Sequence, residues 1–544
     1  MPSLSPPNRL GPPLFFASLA IVSLAIAACT FTTAISSPDP VPFGIPSDSG
    51  HSLAYLVSAD SEGIPVGGCR VRVRLDAWPA GEPKLFQAPV FYVDNPGMPV
   101  PGYHASDLNV RDGNGKRLTA RDTLLEAMDL NGNFLILPDS ARSFSYPVDL
   151  APRDSLRFGL PIPGIAAGVD LIDGAYYFIL PLLGRDFAAQ WRTPAAFTLE
   201  FADRPGRNLV GIDAKRSFAS NYELMFVRAA YDPVSSRTIT MRDHEVTVYT
   251  TSDDAFDLDV FGDLLGHCLG LVEDSLLPLP NKRFFVGENT KFDGIEGVQG
   301  YWFSPRVAYL PEVHVHEMVH TFVGVYHSDF DDPWWKEGVT EYLGLLLSLQ
   351  EGLIGDTVFA DNILFPHNGL PALDLYPLSD RRIRSGLFQD LDSAFGDRPD
   401  SLGMLELVYG KGAQAAMIID RYILEGSGGK KSIYDLVRDL VRSYGAAFHR
   451  TQLIASMDGL AGGSSAAFLS GLLDQATPLE SDSLVRTYIA LRKLGRFGPH
   501  GGLAGISGVD PETGGAAKPS AEAGQRFPNA GRPRTFRALA TGKH

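Results

Sequence analysis

Alternating hydrophobic and polar positions dominate the first half of the chain. In residues 69–76, CRVRVRLD, the side chains of Val71, Val73 and Leu75 share one face and three arginines share the other. A period of two is typical of a strand with one buried face. Similar short runs, separated by turn residues, occur at 175–180 (AYYFIL) and 245–249 (EVTVY). The pattern predicts a β-rich, sandwich-like domain over residues 51–250.

The hydrophobic period becomes helical after about residue 254. Apolar side chains recur at i, i+4, i+7 and i+8, at Leu264, Cys268, Leu271 and Val272. Pro278 marks the end of this predicted helix. Strands are then predicted at 283–286 and 301–309, and helices at 312–326, 334–350, 403–424 and 431–444. The fold class predicted is therefore α+β and multidomain, with a helical second half. Residues 499–544 contain few aliphatic side chains and are predicted to be a disordered tail.

Length and charge restrict the functions open to this protein. A chain of 544 residues is too long for a single hydrophobic core. Its net charge of −16 excludes the basic surface that nucleic-acid binding requires. Three cysteines cannot form a disulfide framework. Cys268 lies on the apolar face of a predicted helix, so we expect a free buried thiol there rather than a disulfide with Cys69.

The amino-terminal segment has the features of an export signal. Residues 14–28, LFFASLAIVSLAIAA, are too few for a comfortable membrane span and have the length of a signal-peptide core. The run ends in small residues followed by Cys29, which resembles the lipobox of bacterial lipoproteins. The resemblance implies removal of residues 1–28 and a protein exported to the cell envelope, held at the membrane only by lipid on Cys29. Residues 29–50 are predicted to be a linker. Ordinary secretory cleavage nearby is the alternative.

One segment carries the spacing of a metal site. His316-Glu317-Met318-Val319-His320 matches H-E-x-x-H, and residues four apart on a helix share one face. Both imidazoles can therefore reach one ion. Zn²⁺ suits two neutral imidazoles and one carboxylate with the fourth position open to water, so we expect one Zn²⁺ per chain. Such a water, acidified by the ion, would lose its proton to Glu317 as it attacks a carbonyl.

Two acidic residues on the next predicted helix extend this spacing. Glu337 follows His320 by seventeen positions, and Glu341 lies four residues further on the same face. Glu337 is available as a third ligand. Glu341 can accept a hydrogen bond from the free N–H of a ligating histidine and so fix its tautomer. A solvated charged face is the alternative, and the rarity of an acidic i,i+4 pair after H-E-x-x-H argues against it.

Two more stretches add to the pattern: W-K-E-G-V-T-E-Y at 335–342 and Y-G-K-G-A at 409–413. Together with H-E-M-V-H they resemble the gluzincin metallopeptidases, and most closely the glycyl aminopeptidase family. In that family the first Glu of the second stretch, here Glu337, is the third zinc ligand. The Tyr of the third stretch, here Tyr409, stabilises the oxyanion, which a phenol can do by donating a hydrogen bond.

The resemblance covers roughly residues 250–495. It implies a thermolysin-like zinc peptidase domain at 251–350 that continues as a helical part at 351–498. Gly294-Ile295-Glu296 resembles the family's substrate-aligning strand, whose Glu binds a free α-amino group. This implies substrate-binding roles for Gly294 and Glu296, and an aminopeptidase acting on peptides or proteins. The sequence departs from the family after Glu296, so exopeptidase specificity stays open, with a solvated loop carboxylate as the alternative.

Two other hypotheses remain. His327 gives a pattern similar to that of the metzincins but with one extra residue, which rotates a helical chain by about 100°. A metzincin would keep its metal when Glu337 is replaced. The second is a non-catalytic surface lipoprotein with a structural metal, which loss of hydrolysis in Glu317→Gln would exclude. His314 is expected to be a helix cap or a surface residue.

Overall fold

The computed structural model describes residues 50–58, 68–88, 90–92, 99–101, 103–123, 134–149, 169–183, 195–202, 206–251, 257–288, 294–323, 334–364, 377–379, 407–444, 448–475 and 481–498. The predictions for Cys29 and the signal peptide, for His327 and for the tail at 499–544 lie outside these residues. None of the described helices combines the length and the apolar character that crossing a bilayer requires.

The amino-terminal half contains two sheets that share one hydrophobic core. The larger sheet has the spatial order Lys215–Phe218, Ala196–Phe201, Ser52–Ser58, Gly68–Ala77, Ala141–Asp149, Asn109–Asp112 and Arg117–Leu118. The smaller has the order Leu180–Pro181, Lys84–Gln87, Phe134–Leu137 and Arg121–Thr123. Val71, Val73 and Leu75 are buried, and Arg72 and Arg74 between them are exposed, which confirms the predicted alternation. Side chains from both sheets pack together in the core.

Smaller elements border these sheets. A third sheet has the order Asp170–Asp173, Arg228–Tyr231 and Leu209–Val210, Val90–Tyr92 pairs with Pro99–Pro101, and short helices lie at Ala105–Asp107, Gly174–Tyr177 and Asn221–Met225. The strand predicted at 175–180 is wrong for most of its length, because a helix occupies its start. Residues 177–181 are all buried, so the run has no alternation that separates strand from helix. Packing against neighbouring elements decides between strand and helix here, since even a Cβ on Gly174 would lie 2.2 Å from the carbonyl oxygen of Leu224.

A mixed sheet carries the helices of the second half. Its spatial order is Ser235–Met241, His244–Thr250, Arg283–Glu288, Gly300–Phe303 and Gly294–Gly297. The parallel pairing of His244–Thr250 with Arg283–Glu288 places strands from both sides of position 250 in one sheet. The domain boundary that the sequence predicts at position 250 therefore falls between two strands of one sheet.

The last two strands of the mixed sheet form its outer edge. The strand predicted at 301–309 ends at Phe303, and the 3₁₀ turn Pro305–Val307 follows. A proline has no N–H to donate to a strand ladder, which accounts for the early end. Within the described residues, Gly294–Gly297 pairs with Gly300–Phe303 alone and so forms the edge strand.

The helices pack on this sheet and on one another around one large core. They are Leu258–Ser275, Pro311–Val323, Trp334–Val339 continuing as Thr340–Gln350, Asp356–Ile363, Leu407–Lys411 continuing as Gly412–Gly426, Ile433–Tyr444, Arg450–Ala461, Ala466–Leu473 and Ser481–Lys493. Asp257 caps the first of them by accepting hydrogen bonds from the backbone N–H groups of Asp259 and Val260. Cys268 is a buried free thiol, as expected, and Cys69 is buried as well.

Candidate metal centre

The H-E-x-x-H segment lies on the helix Pro311–Val323, called here the motif helix. Every residue from His314 to Val323 is buried. His316 and His320 are 7% and 2% exposed, and their Nε2 atoms lie 3.0 Å apart. Buried polar groups need partners, because they have lost their hydrogen bonds to water. The two Nε2 atoms can partner each other, and a third group beside them would complete a metal site.

Glu337 supplies that third group. Its side chain is 3% exposed, and its Oε2 atom lies 3.3 Å from Nε2 of His320 and 3.8 Å from Nε2 of His316. Glu341 approaches from the other side, with Oε2 at 3.0 Å from Nδ1 of His316. The structure thus brings these four residues together. Nε2 of His316 faces Glu337, and Nδ1 of the same ring faces Glu341.

Glycines allow the surrounding helices to approach this closely. Trp334–Val339 and Leu407–Lys411 are π-helical turns, and each leads into an α-helix. A Cβ on Gly338 would lie 2.4 Å from the backbone of Gly412, closer than real Cβ contacts come. A Cβ on Gly344 would lie 3.2 Å from the Cα of His316. The segments that carry Glu337 and Tyr409 therefore cross in backbone contact next to the motif helix.

The donor set fits a zinc ion. Bonds of 2.0–2.1 Å in a tetrahedral site place ligand atoms about 3.3 Å apart, and the three observed separations are 3.0, 3.3 and 3.8 Å. Oε2 of Glu337 faces both imidazoles but makes no hydrogen bond of good geometry within the described part of the chain. Two imidazoles and one carboxylate leave a fourth position for water or substrate, as in catalytic zinc sites.

The charges of the site favour a cation at this position. Burial alone would raise the pKa of Glu337, but Lys336 and His320 outweigh it and hold that pKa well below its usual value. Burial disfavours a charged His316, yet Glu337 and Glu341 raise its pKa to about 10. Without a metal, a proton on His316 thus balances the two carboxylates. Metal uptake would release that proton.

Glu317 lies beside the candidate ligands, and its pKa is shifted in the opposite direction from that of Glu337. Burial raises its pKa well above the usual value; His316 opposes the rise, and Glu296 and Glu337 add to it. Its carboxylate is within 4.8 Å of the ligand atoms of both histidines. A Cβ on Gly294 would lie 2.0 Å from Oε1 of Glu317, so this edge-strand glycine makes room for the carboxylate.

Tyr409 completes the group of predicted catalytic residues. Its ring stacks on His316 with centroids 5.9 Å apart and an interplanar angle of 12°. Burial first, and the neighbouring Glu337 second, raise the pKa of its phenol well above the usual value. The phenol therefore remains a proton donor at neutral pH.

Glu296 is buried and has a cation of its own. It is 8% exposed, which replaces the alternative of a solvated loop carboxylate, and its Oε1 forms an ion pair with Nζ of Lys336. The same Nζ lies 3.1 Å from Oε1 of Glu337. The sequence motifs gave no role to Lys336. Only its position directly before the candidate ligand Glu337 could have pointed to it.

His314 departs from the expectation of a cap or surface residue. It is fully buried, its Nδ1 lies 2.9 Å from the hydroxyl of Tyr301, and its Nε2 lies 2.9 Å from the carbonyl oxygen of Ala308. The expectation fails because the motif helix is covered on the side away from the metal position as well. Both ring nitrogens have partners, so His314 is a structural residue.

The fold is similar to that of solved zinc peptidases. An aminopeptidase N family protein from Idiomarina loihiensis matches with a TM-score of 0.54 and 11% identity, over 80% of this chain and 78% of that chain. A variant of the M1 zinc metallopeptidase from Deinococcus radiodurans, bound to Tyr-Ser-Ala, matches with a TM-score of 0.50 and 15% identity, over 79% of this chain and 94% of that chain. No protein-family model and no curated protein matches the sequence. The chain therefore shares an α+β, multidomain fold with these two solved structures.

Proposed function

We propose that this protein is a zinc-dependent peptidase. The observation that carries the proposal is the convergence of Nε2 of His316, Nε2 of His320 and Oε2 of Glu337 in one buried site, with Glu317 beside them. Glu341, whose Oε2 lies 3.0 Å from Nδ1 of His316, accepts a hydrogen bond from that ring N–H and so fixes the tautomer. Similar solved structures that are zinc metallopeptidases support the same reaction class.

Each residue of the site has a separate role in the proposed hydrolysis. When bound, zinc would polarise the scissile carbonyl and make a water molecule acidic. Glu317 accepts the proton of the attacking water. The protonated Glu317 then delivers that proton to the leaving amine. Tyr409 donates a hydrogen bond to the oxyanion that develops on the substrate.

The edge strand Gly294–Gly297 provides a place for the substrate backbone. An extended peptide can add to an exposed sheet edge through main-chain hydrogen bonds. Gly294 lies against Glu317, so a peptide paired there passes directly by the general base. Aminopeptidase action, which the glycyl aminopeptidase motifs imply, further requires that Glu296 recognise a free amino terminus. We retain, on the sequence pattern alone, the proposal that the protein is exported and lipid-anchored through Cys29.

Zinc content and peptide hydrolysis, measured together on the same variants, test the proposal. We expect one zinc per chain in the wild type and in Glu317→Gln, whose hydrolysis falls roughly a hundredfold to ten-thousandfold. Glu337→Ala should lose zinc affinity by more than about a hundredfold, since it removes a ligand rather than a supporting residue. Glu425→Ala, an exposed helix carboxylate, is the matched control and should change neither quantity.

Three outcomes would contradict the proposal in different ways. Full zinc retention in Glu337→Ala would move the third ligand elsewhere, with His327 the first candidate, as the metzincin pattern implies. Zinc without hydrolysis of any library peptide would favour the non-catalytic lipoprotein. No zinc in the wild type after reconstitution would exclude the metal centre itself.

A further inference from the structure

Lys336 places an ammonium group inside the proposed active site. Its side chain is 14% exposed, and its Nζ pairs with Glu296 and lies 3.1 Å from Glu337. The same Nζ is 5.3 Å from the centre of the Phe226 ring, within range of a cation–π contact. The ammonium is thus held on several sides at once, by two carboxylates and an aromatic face.

The partner of this ammonium is the carboxylate that would otherwise bind a substrate amine. Glu296 shares the edge strand with Gly294, which touches Glu317, so it lies along the path proposed for the substrate. A buried carboxylate needs a cation. An ε-ammonium and a peptide's α-ammonium offer the same charge and the same three N–H donors. The side chain of Lys336 therefore satisfies Glu296 before any substrate arrives.

We propose that Lys336 determines the substrate specificity of this site by occupying the amine-binding carboxylate. The protein then hydrolyses peptides whose amino terminus is blocked, or which extend past the scissile bond, as readily as peptides with a free terminus. A substrate ammonium entering next to Nζ meets a like charge, which removes the advantage of a free terminus. The inference rests on the proposed peptidase function.

The test compares two peptides that differ in N-acetylation alone. For the wild type, the ratio of kcat/KM for the free peptide to that for the acetylated peptide should be within about threefold of one. Lys336→Met keeps an unbranched apolar side chain but removes the ammonium and uncovers Glu296, so the ratio should rise about tenfold to a hundredfold, the value of one charge-assisted hydrogen bond. Lys336→Met combined with Glu296→Gln should return it to near one.

Controls separate specificity from damage to the metal centre. Each ratio is taken within one enzyme preparation, so a change in zinc content cancels between the two peptides. Lys336→Arg keeps the charge and should keep the wild-type ratio. A purely structural role for Lys336 would lower both kcat/KM values together and leave the ratio at one.

Binding measurements keep the inference testable without turnover. In a Glu317→Gln background, calorimetry should give nearly equal affinities for the two peptides, and at least about tenfold tighter binding of the free peptide after Lys336→Met. If no variant hydrolyses peptide but this shift occurs, the proposed function fails, and only the occupation of Glu296 by Lys336 in peptide binding stands. Hydrolysis with a free-terminus preference above about tenfold in the wild type overturns the inference alone. Failure to bind either peptide overturns both.

Discussion

Two buried carboxylates near the helix Thr340–Gln350 have opposite hydrogen-bond environments. Asp420 accepts hydrogen bonds at both oxygens, from the hydroxyl of Tyr342 at 2.8 Å, from Nε of Arg496 at 2.7 Å and from the backbone N–H of Ile433 at 2.8 Å. Glu337 instead aims one oxygen at two imidazoles without a hydrogen bond of good geometry. Asp420 thus joins three segments of the chain by hydrogen bonds, whereas Oε2 of Glu337 keeps its lone pairs directed at the two imidazoles.

The comparison shows what distinguishes a structural charge from a functional one. Both carboxylates are buried and both have a cationic neighbour, Arg496 or Lys336. Burial and charge alone therefore do not identify the site. The difference is whether every lone pair is already used, because a fully satisfied group has nothing to offer a metal or a substrate. Three predictions test this distinction.

The largest effect on stability is expected at the satisfied carboxylate. Asp420→Asn leaves Arg496 as an uncompensated buried charge, which should lower the free energy of unfolding by about 3–5 kcal/mol. Zinc stoichiometry of the folded protein should not change. Asp474→Asn breaks the partly exposed pair with Arg450 and should cost about 1 kcal/mol or less. Denaturant unfolding measures both, and equal losses in the two variants would refute the contrast.

A smaller effect is expected where glycine brings the metal side together. Gly338→Ala places a Cβ 2.4 Å from the backbone of Gly412, so the two segments must separate. Overpacking of this kind should cost about 3 kcal/mol and weaken zinc binding, because Glu337 is the next residue. Gly459→Ala, on a helix where a Cβ meets nothing within 4 Å, should instead stabilise by up to about 1 kcal/mol. Unchanged zinc affinity in Gly338→Ala would show that the crossing does not position Glu337.

The smallest effect concerns His314, the satisfied histidine of the motif helix. Burial lowers its pKa from 6.5 to about 4, so below pH 6.5 the unfolded chain binds the proton more readily than the folded one. Stability should therefore fall as the pH falls, by about 2 kcal/mol between pH 7 and pH 5 for this residue. His314→Asn removes the titration, so in metal-free protein its deficit relative to wild type should shrink by that amount. A deficit independent of pH would contradict the assignment.

The candidate metal site was largely predictable because its information is local. Residues four apart on a helix share a face whatever surrounds them, which places His316 with His320 and Glu337 with Glu341. The alternation in residues 69–76 predicted a strand for the same reason. The helix at the start of residues 175–180 and the burial of His314 were not predictable, since both depend on which neighbouring elements cover these residues. The signal peptide and Cys29 stay predictions.

The sequence by itself determined which side chains are available to the candidate site: two imidazoles and a carboxylate in H-E-M-V-H, two further carboxylates four residues apart, and the phenol of Tyr409. Only the tertiary structure decided how these side chains are arranged. The close approach of Gly338 to Gly412 brings together the segments that carry Glu337 and Tyr409, and the fold brings Lys336 onto Glu296, forty residues away in the chain. Helical and strand periodicity fix the directions of side chains within one element. The pairing of buried charges depends on which elements pack together, so it is decided only when the whole chain has folded.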